Sequence, residues 1–238
     1  MKTFVYPNGY LIKVTNESTI INKYTWMQEN RFKICESDSI KFIFDSLQKS
    51  VAFHGNATLV DIGSQSGLYS LYVKYFKNVR VDAYEPFAKS YKCLVDNIAL
   101  NDIKDVVFPY QIAISNTKST TVLRCPSDHT GLNTLGSTPV RFSQWDDFEV
   151  STDTLDNLYA NRRIDVIKCD IEGWEYFMLQ GAKNVLLRDK PVLLLEVNED
   201  NMRQCGVTME QFFEQLNMYG YVHKDIIDGE NFVFAVNK

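Results

Sequence analysis

The sequence predicts an α/β fold in which helices cover a mostly parallel sheet that ends in an antiparallel hairpin. Three observations predict it. From Ala57 onward, short apolar runs alternate with amphipathic stretches of helical period, the pattern of repeated strand–helix units. The first run, Leu59-Val60-Asp61-Ile62, passes directly into a glycine turn, Gly63-Ser64-Gln65-Ser66-Gly67. The chain then finishes with two strand-like segments, Tyr221–Ile227 and Asn231–Val236, around Asp228-Gly229.

Taken in order, Thr3 to Thr15 reads as a β-hairpin about Pro7-Asn8-Gly9. Ser37-Asp38 are placed to cap a helix running to about Ser50, with Ile40, Ile43, Phe44 and Leu47 on one face. Thr58–Ile62 is the first core strand and Gly67–Phe76 the helix after it. Val79–Tyr84 and Phe87–Asn101 repeat the unit, with Tyr91, Leu94 and Ile98 facing inward, and Val106–Ile114 is the third strand. There the alternation stops. Thr120–Arg124 and Phe148–Thr152 read as extra strands flanking a Gly/Ser/Thr-rich stretch from Ser127 to Gln144. A loop that long is usually functional, so this insertion between the third and fourth core strands is the candidate substrate-binding element; a plain surface loop has the same composition. The core resumes with the strand Ile164–Cys169, the helix Trp174–Leu187, the strand Pro191–Val197 and the helix Met209–Tyr219.

The 238 residues, 45% hydrophobic and 23% charged, suit one domain over 55–238 with an N-terminal extension over 1–54, expected to serve as a lid or a homodimer element. A net charge of −5 with scattered Lys and Arg argues against nucleic acid as a partner. Met1 to Ile12 does not read as a signal peptide, and the longest apolar stretches, such as Val192 to Leu195, are too short to span a bilayer, so a cytoplasmic location is expected. Cys35, Cys93, Cys125, Cys169 and Cys205 form no Cys-x-x-Cys pair and are expected to be reduced thiols. His54, His129 and His223 are equally dispersed, so no structural zinc is expected.

The glycine turn lies where doubly wound, Rossmann-like sheets bind ligands, outside the carboxyl ends of the strands. Gly63 and Gly67 let backbone approach a ligand closely. Glu85, in Tyr84-Glu85-Pro86, ends the next strand and is placed to accept both hydroxyls of a ribose. A dinucleotide turn needs a middle glycine, which Ser64-Gln65-Ser66 lacks, so the rival reading of an NAD-dependent dehydrogenase is disfavoured. Asp61 would also repel a pyrophosphate and suits a cationic ligand carrying an ammonium and a sulfonium; alternatively it holds the loop's own N–H groups.

The residues at these positions resemble the FkbM-type methyltransferase family. Asp61-Ile62-Gly63-x-x-x-Gly67-Leu68-Tyr69-Ser70 is similar to its cofactor turn, Tyr84-Glu85-Pro86 to its ribose motif, and Asn97 and Asn101 to its Asn-x-x-x-Asn helix end. Thr154-Leu155-Asp156, Ile167-Lys168-Cys169-Asp170-Ile171-Glu172-Gly173-x-Glu175, Gly181-Ala182 and Pro191 to Glu196 complete the likeness. The resemblance implies a class I methyltransferase fold, S-adenosylmethionine as cofactor and a small hydroxyl acceptor. Cofactor contacts are then expected from Asp61, Gly63, Ser64, Gly67 and Leu68 of the turn, from Glu85 and Pro86, from Ala113 and from Asp170. Position 174 is Trp where the family frequently has His, so a mechanism using that histidine as base is closed to this chain.

A hydroxyl nucleophile benefits from a base within hydrogen-bond reach. Asp170 at its strand end, Glu172 two residues on, and His129 in the insertion are the candidates, Asp170 alternatively holding the cofactor's amino group. Glu175 reads as a helix N-terminal acid, and Lys168 as a buried ion-pair partner of Asp170. No resident metal is expected, although Asp170 with Glu196 and Asn198 offers an oxygen-ligand set like that of catechol-type methyltransferases. The acceptor expected is a carbohydrate, a nucleotide sugar or glycan, with Trp145 and Trp174 as stacking faces; a phenol, polyketide or amine is the alternative. Trp174 could equally stack on the adenine or simply pack.

Overall fold

The computed structural model describes residues 1–5, 10–20, 36–127, 131–137 and 144–237. Its centre is a seven-stranded sheet. The strands that carry the site are β3 (Ala57–Ile62), β4 (Val79–Tyr84), β5 (Val107–Tyr110), β9 (Val166–Cys169) and β10 (Val192–Glu196), all parallel in the order β10-β9-β3-β4-β5. The hairpin β11 (Tyr221–Ile227) and β12 (Asn231–Val236) adds to β10 through β12, antiparallel. The fold is therefore the α/β, Rossmann-like arrangement, with its closing antiparallel hairpin, that the alternating runs predict.

Because side chains alternate across a strand, the parallel strands feed two apolar layers. Leu59, Val81, Val166 and Leu194 face one layer, packed by α1 (Ser37–His54) and α2 (Ala88–Leu100). Val60, Ile62, Ile167, Cys169, Leu193 and Leu195 face the other, packed by α4 (Glu175–Gln180), α5 (Lys183–Asp189) and α7 (Met209–Met218). The N-terminal hairpin, β1 (Lys2–Val5) with β2 (Leu11–Val14), joins the first layer through Ile12 and Val14. The turn Pro7-Asn8-Gly9 lies outside the described residues. Two asparagines of α2 fasten β2. The Asn97 carbonyl oxygen accepts from Thr15 N at 2.8 Å, and Asn101 accepts from Lys13 N at 3.1 Å and donates to Lys13 O at 2.7 Å. These amides stand in for a neighbouring strand, satisfying backbone groups that a bare edge would leave unpaired.

Several elements differ from expectation, each for a visible reason. The helix expected over Gly67–Phe76 is a 3₁₀ helix over Ser70–Tyr75, because Gly67 sits at φ 96° and cannot open an α-helix. The third strand splits after Tyr110: Ala113–Ile114 leaves the main sheet as β6 and pairs in parallel with β8 (Trp145–Asp153). β8 also pairs antiparallel with β7 (Ser119–Pro126), so the two extra strands are longer than expected. The single helix expected over Trp174–Leu187 is broken into α4 and α5 at Gly181-Ala182. Gly181 packs on the backbone of Ser115, where a Cβ would lie 2.1 Å from the carbonyl oxygen. Ser37-Asp38 lie inside α1, preceded by Glu36 in the left-handed region, and α1 runs on to His54. Two short helices, α3 (Leu155–Leu158) and α6 (Glu199–Gln204), escaped the periodicity reading because neither is long enough to show a period. No described helix is long and apolar enough to cross a membrane.

Candidate active site

The carboxyl ends of β3, β4 and β9 open onto a cleft of about 530 Å³. Gly63, Glu85, Pro86, Ala113, Asp170 and Glu172, all expected there, line it together. Gly63 sits at φ 74° with Asp170 behind it: a Cβ would lie 1.9 Å from the Asp170 carbonyl oxygen, so only glycine lets β3 and β9 end side by side here. Ser64 and Leu68 line an adjoining cavity of about 320 Å³ that shares Gly63, Gln65 and Asp170 with the first. Thr19, Ile20 and Glu36 of the N-terminal stretch also line it.

Glu85 is buried, and both of its carboxylate oxygens accept backbone N–H groups, Oε2 from Gln65 at 2.9 Å and Oε1 from Phe87 at 2.8 Å. Burial pushes its pKa up to about 7 against those two bonds, and the Asp61 and Asp170 charges push the same way. Each oxygen keeps a further lone pair, so the group can still take two ribose hydroxyls.

Asp61 and Gly67, also expected to contact the cofactor, line neither cavity. Asp61 is fully buried; Oδ2 accepts from Ser70 Oγ at 2.6 Å and Oδ1 has no hydrogen-bond partner among the described residues. Burial raises its pKa, opposed by the Lys168 ammonium and the Ser70 hydroxyl. Gly67, at φ 96°, packs against Leu94.

The acid loop after β9 is densely tied. Lys168, 3% exposed, reaches Asp170 Oδ2 at 3.1 Å, the ion pair expected from their alternation. Glu172 adopts φ 55° and takes Asn201 Nδ2 on Oε2 at 2.7 Å. Glu175 is 1% exposed: Oε1 accepts from Ile171 N at 2.8 Å, and burial raises its pKa to about 7. It braces the loop from behind.

Of the oxygen set offered by Asp170, Glu196 and Asn198, the Asn198 side chain caps α6 by accepting from Asn201 N at 3.1 Å. Asp170, Glu172 and Glu196 bring carboxylate oxygens within 4.8 Å of one another. Burial and then the neighbouring Asp170 and Glu172 charges hold the Glu196 carboxyl well above the usual range.

Trp174 does line the cleft, with Nε1 donating to Ser115 Oγ at 3.0 Å and its ring stacked on Phe177 at 4.1 Å. Trp145, at the start of β8, is not among the lining residues. His129 lies outside the described residues. Sequence reasoning missed Gln65, Ile112, Leu135 and Ile171 in the cleft walls, whereas Asn133 belongs to the insertion expected to bind the acceptor.

A Rossmann-like sheet with a glycine turn, a strand-end acid and an acid loop around one cleft defines the class I methyltransferase group of proteins. The chain belongs to the FkbM methyltransferase family: the model described as Methyltransferase FkbM domain matches residues 61–223. It is similar to Methyltransferase sdnD of Sordaria araneosa, 28% identical over 157 residues, which cover 53% of this chain and 61% of that protein. The match thus spans under two thirds of the curated relative's length. Among solved structures, it resembles the N-terminal domain of human METTL16 in complex with SAH, at 12% identity and a TM-score of 0.50, over 98% of this chain and 87% of that one. A putative caffeoyl-CoA O-methyltransferase from Staphylococcus aureus gives 10% identity and a TM-score of 0.51, over 93% of each chain. At such identities the likeness is one of fold.

Proposed function

We propose that this chain transfers a methyl group from S-adenosylmethionine to a hydroxyl of a small acceptor, a carbohydrate foremost. One observation carries the cofactor reading: Glu85, Asp170 and Glu172 surround a single cleft, with the orphaned carboxylate oxygen of Asp61 buried beneath its turn. Such a cleft repels the pyrophosphate of a dinucleotide and attracts an ammonium and a sulfonium. The residues fit the group: Glu85 has lone pairs for the ribose hydroxyls, and Gly63 leaves room for close approach.

When bound, S-adenosylmethionine supplies an electrophilic methyl group on sulfur. The chain's own residues then align and deprotonate. Gly63 and Glu85 position the nucleoside, Asp170 holds the amino end, and Glu172 accepts the proton of the acceptor hydroxyl. Lys168, 3.1 Å from Asp170, holds its carboxylate in place. Alignment in an enclosed cleft accounts for much of the rate of an in-line displacement. Trp174 offers an indole face in the cleft wall on which a sugar ring can stack. Thr19, Ile20 and Glu36 make the N-terminal stretch a roof over the adjoining cavity, supporting its role as a lid.

Labelled S-adenosylmethionine offered with panels of nucleotide sugars, glycans, phenols and amines tests the proposal, the methyl being located by mass spectrometry. Label on a sugar hydroxyl is the expected result. Label on a phenol or amine alone overturns the carbohydrate reading, and no binding of S-adenosylmethionine by calorimetry overturns the whole.

A further inference from the structure

We propose that Asn133, in the insertion between β7 and β8, binds the adenosyl cofactor: its side-chain carbonyl oxygen accepts a hydrogen bond from a donor on that ligand. The inference rests on the methyltransferase reading above.

The described part of the insertion, residues 131–137, behaves as a short strap. Gly131, Asn133 and Leu135 face the cleft, while Thr134 and Gly136 are buried on the other side. Its backbone is held at several points. Thr134 N and O bond to Arg124 O and N at 3.0 and 2.9 Å, and Arg124 Nη1 donates to Gly136 O at 2.9 Å. Gln65 Nε2, from the glycine turn, donates to Gly131 O at 3.1 Å. Thr134 Oγ1 donates to Glu172 O at 3.1 Å. Asn133 is therefore fixed between the turn and the acid loop.

Its amide oxygen, Oδ1, is buried and accepts no hydrogen bond among the described residues. Buried amide oxygens nearly always have a partner, and an orphan in a cleft wall marks where a donor arrives. Among the described residues none supplies that donor. Glu85, Asp170 and Glu172, which share the cleft, are acceptors when ionised. Gln65 Nε2 donates to Gly131 O rather than to Asn133 Oδ1. An adenosyl cofactor brings three kinds of donor: ribose hydroxyls, the exocyclic amine and the ammonium of its amino-acid end. Because the strap is already pinned, accepting one of them costs Asn133 little ordering entropy.

Calorimetric titration of the full chain and its Asn133→Ala variant with S-adenosylhomocysteine and with 5′-methylthioadenosine tests this. The second probe keeps the nucleoside and lacks the amino-acid end. The variant is expected to bind S-adenosylhomocysteine about tenfold more weakly. A parallel loss for 5′-methylthioadenosine assigns the donor to the nucleoside, and an unchanged affinity for it assigns the ammonium. The melting temperature of the ligand-free variant is expected to stay level or rise, since an unsatisfied group has been removed. Unchanged affinity for both probes, or a melting temperature lowered without ligand, overturns the inference while leaving the methyltransferase reading intact. A wild-type chain that binds neither probe overturns both.

Discussion

Asn201 donates its side-chain amide hydrogen to Glu172 Oε2 at 2.7 Å, bridging the loop that follows β9 to helix α6. Beside it Gly173, at φ 96°, presses so closely on Asn201 that a Cβ would lie 2.4 Å from the carbonyl oxygen. One residue thus fixes both the carboxylate and the left-handed backbone of the proposed proton acceptor. Asn201→Ala is expected to lower kcat about tenfold, the scale of one charge-assisted hydrogen bond, and to leave S-adenosylhomocysteine affinity nearly unchanged. Equal kcat in the variant would remove Asn201 from any positioning role.

Glu85 sets a pH dependence. Protonated, it loses an acceptor site, so S-adenosylhomocysteine affinity should fall as pH drops through about 7. Glu85→Ala should cost about 1–3 kcal/mol of binding and flatten that profile. Calorimetry from pH 5.5 to 8 (roughly a pH unit either side of neutrality) decides it; a flat wild-type profile counts against the assignment.

Stability of the ligand-free chain should move the other way. Glu85 and Glu175 have pKa values raised from 4.5 to about 7, burial being the main cause, so the folded state binds more protons than the unfolded one in between. Stability is then highest below about 4.5 as far as these two groups are concerned, and is lost as pH rises through about 7. Thermal melts of Glu175→Gln should show a shallower decline over that range than wild type. An identical slope would mean Glu175 does not titrate there.

Asp170→Asn should stay folded and lose most activity. Lys168 stands 3.1 Å from Asp170 and already neutralises part of the acid cluster, which disfavours a divalent cation. Turnover is accordingly expected to survive EDTA. Activity lost to the chelator and restored by Mg²⁺ would make Asp170, Glu172 and Glu196 a metal site instead.

Asn97→Ala removes the acceptor of Thr15 N and the donor to Ser66 O, both at 2.8 Å in a fully buried position. A loss of about 2–4 kcal/mol in denaturant unfolding is expected, because two backbone groups lose their partners. A change below about 0.5 kcal/mol, the scale of a neutral surface substitution, would show that the Asn97 bonds add little to the hold of Asn101, Ile12 and Val14 on β2.

Sequence by itself determined the features that depend on a few neighbouring residues. The alternating runs define the strands. The turn Gly63–Gly67 reflects backbone angles that glycine tolerates, and Glu85 follows from the length of one strand–helix–strand unit. The Asp170 and Lys168 pairing was legible from their spacing of two. What tertiary structure decided lies between segments distant in sequence. Gly131 meets Gln65 and Thr134 meets Glu172, with Asn133 between them on the cleft wall, through contacts far apart in sequence. Glu172 converges on Asp170 and on Glu196 from another strand, held there by Asn201 of α6, a grouping that spacing does not encode. Gly181 breaks a well-patterned helix because Ser115, far away in the chain, needs the space. Local propensity and period act over one or two turns of chain, whereas close packing is settled by whichever partners the completed sheet brings into contact.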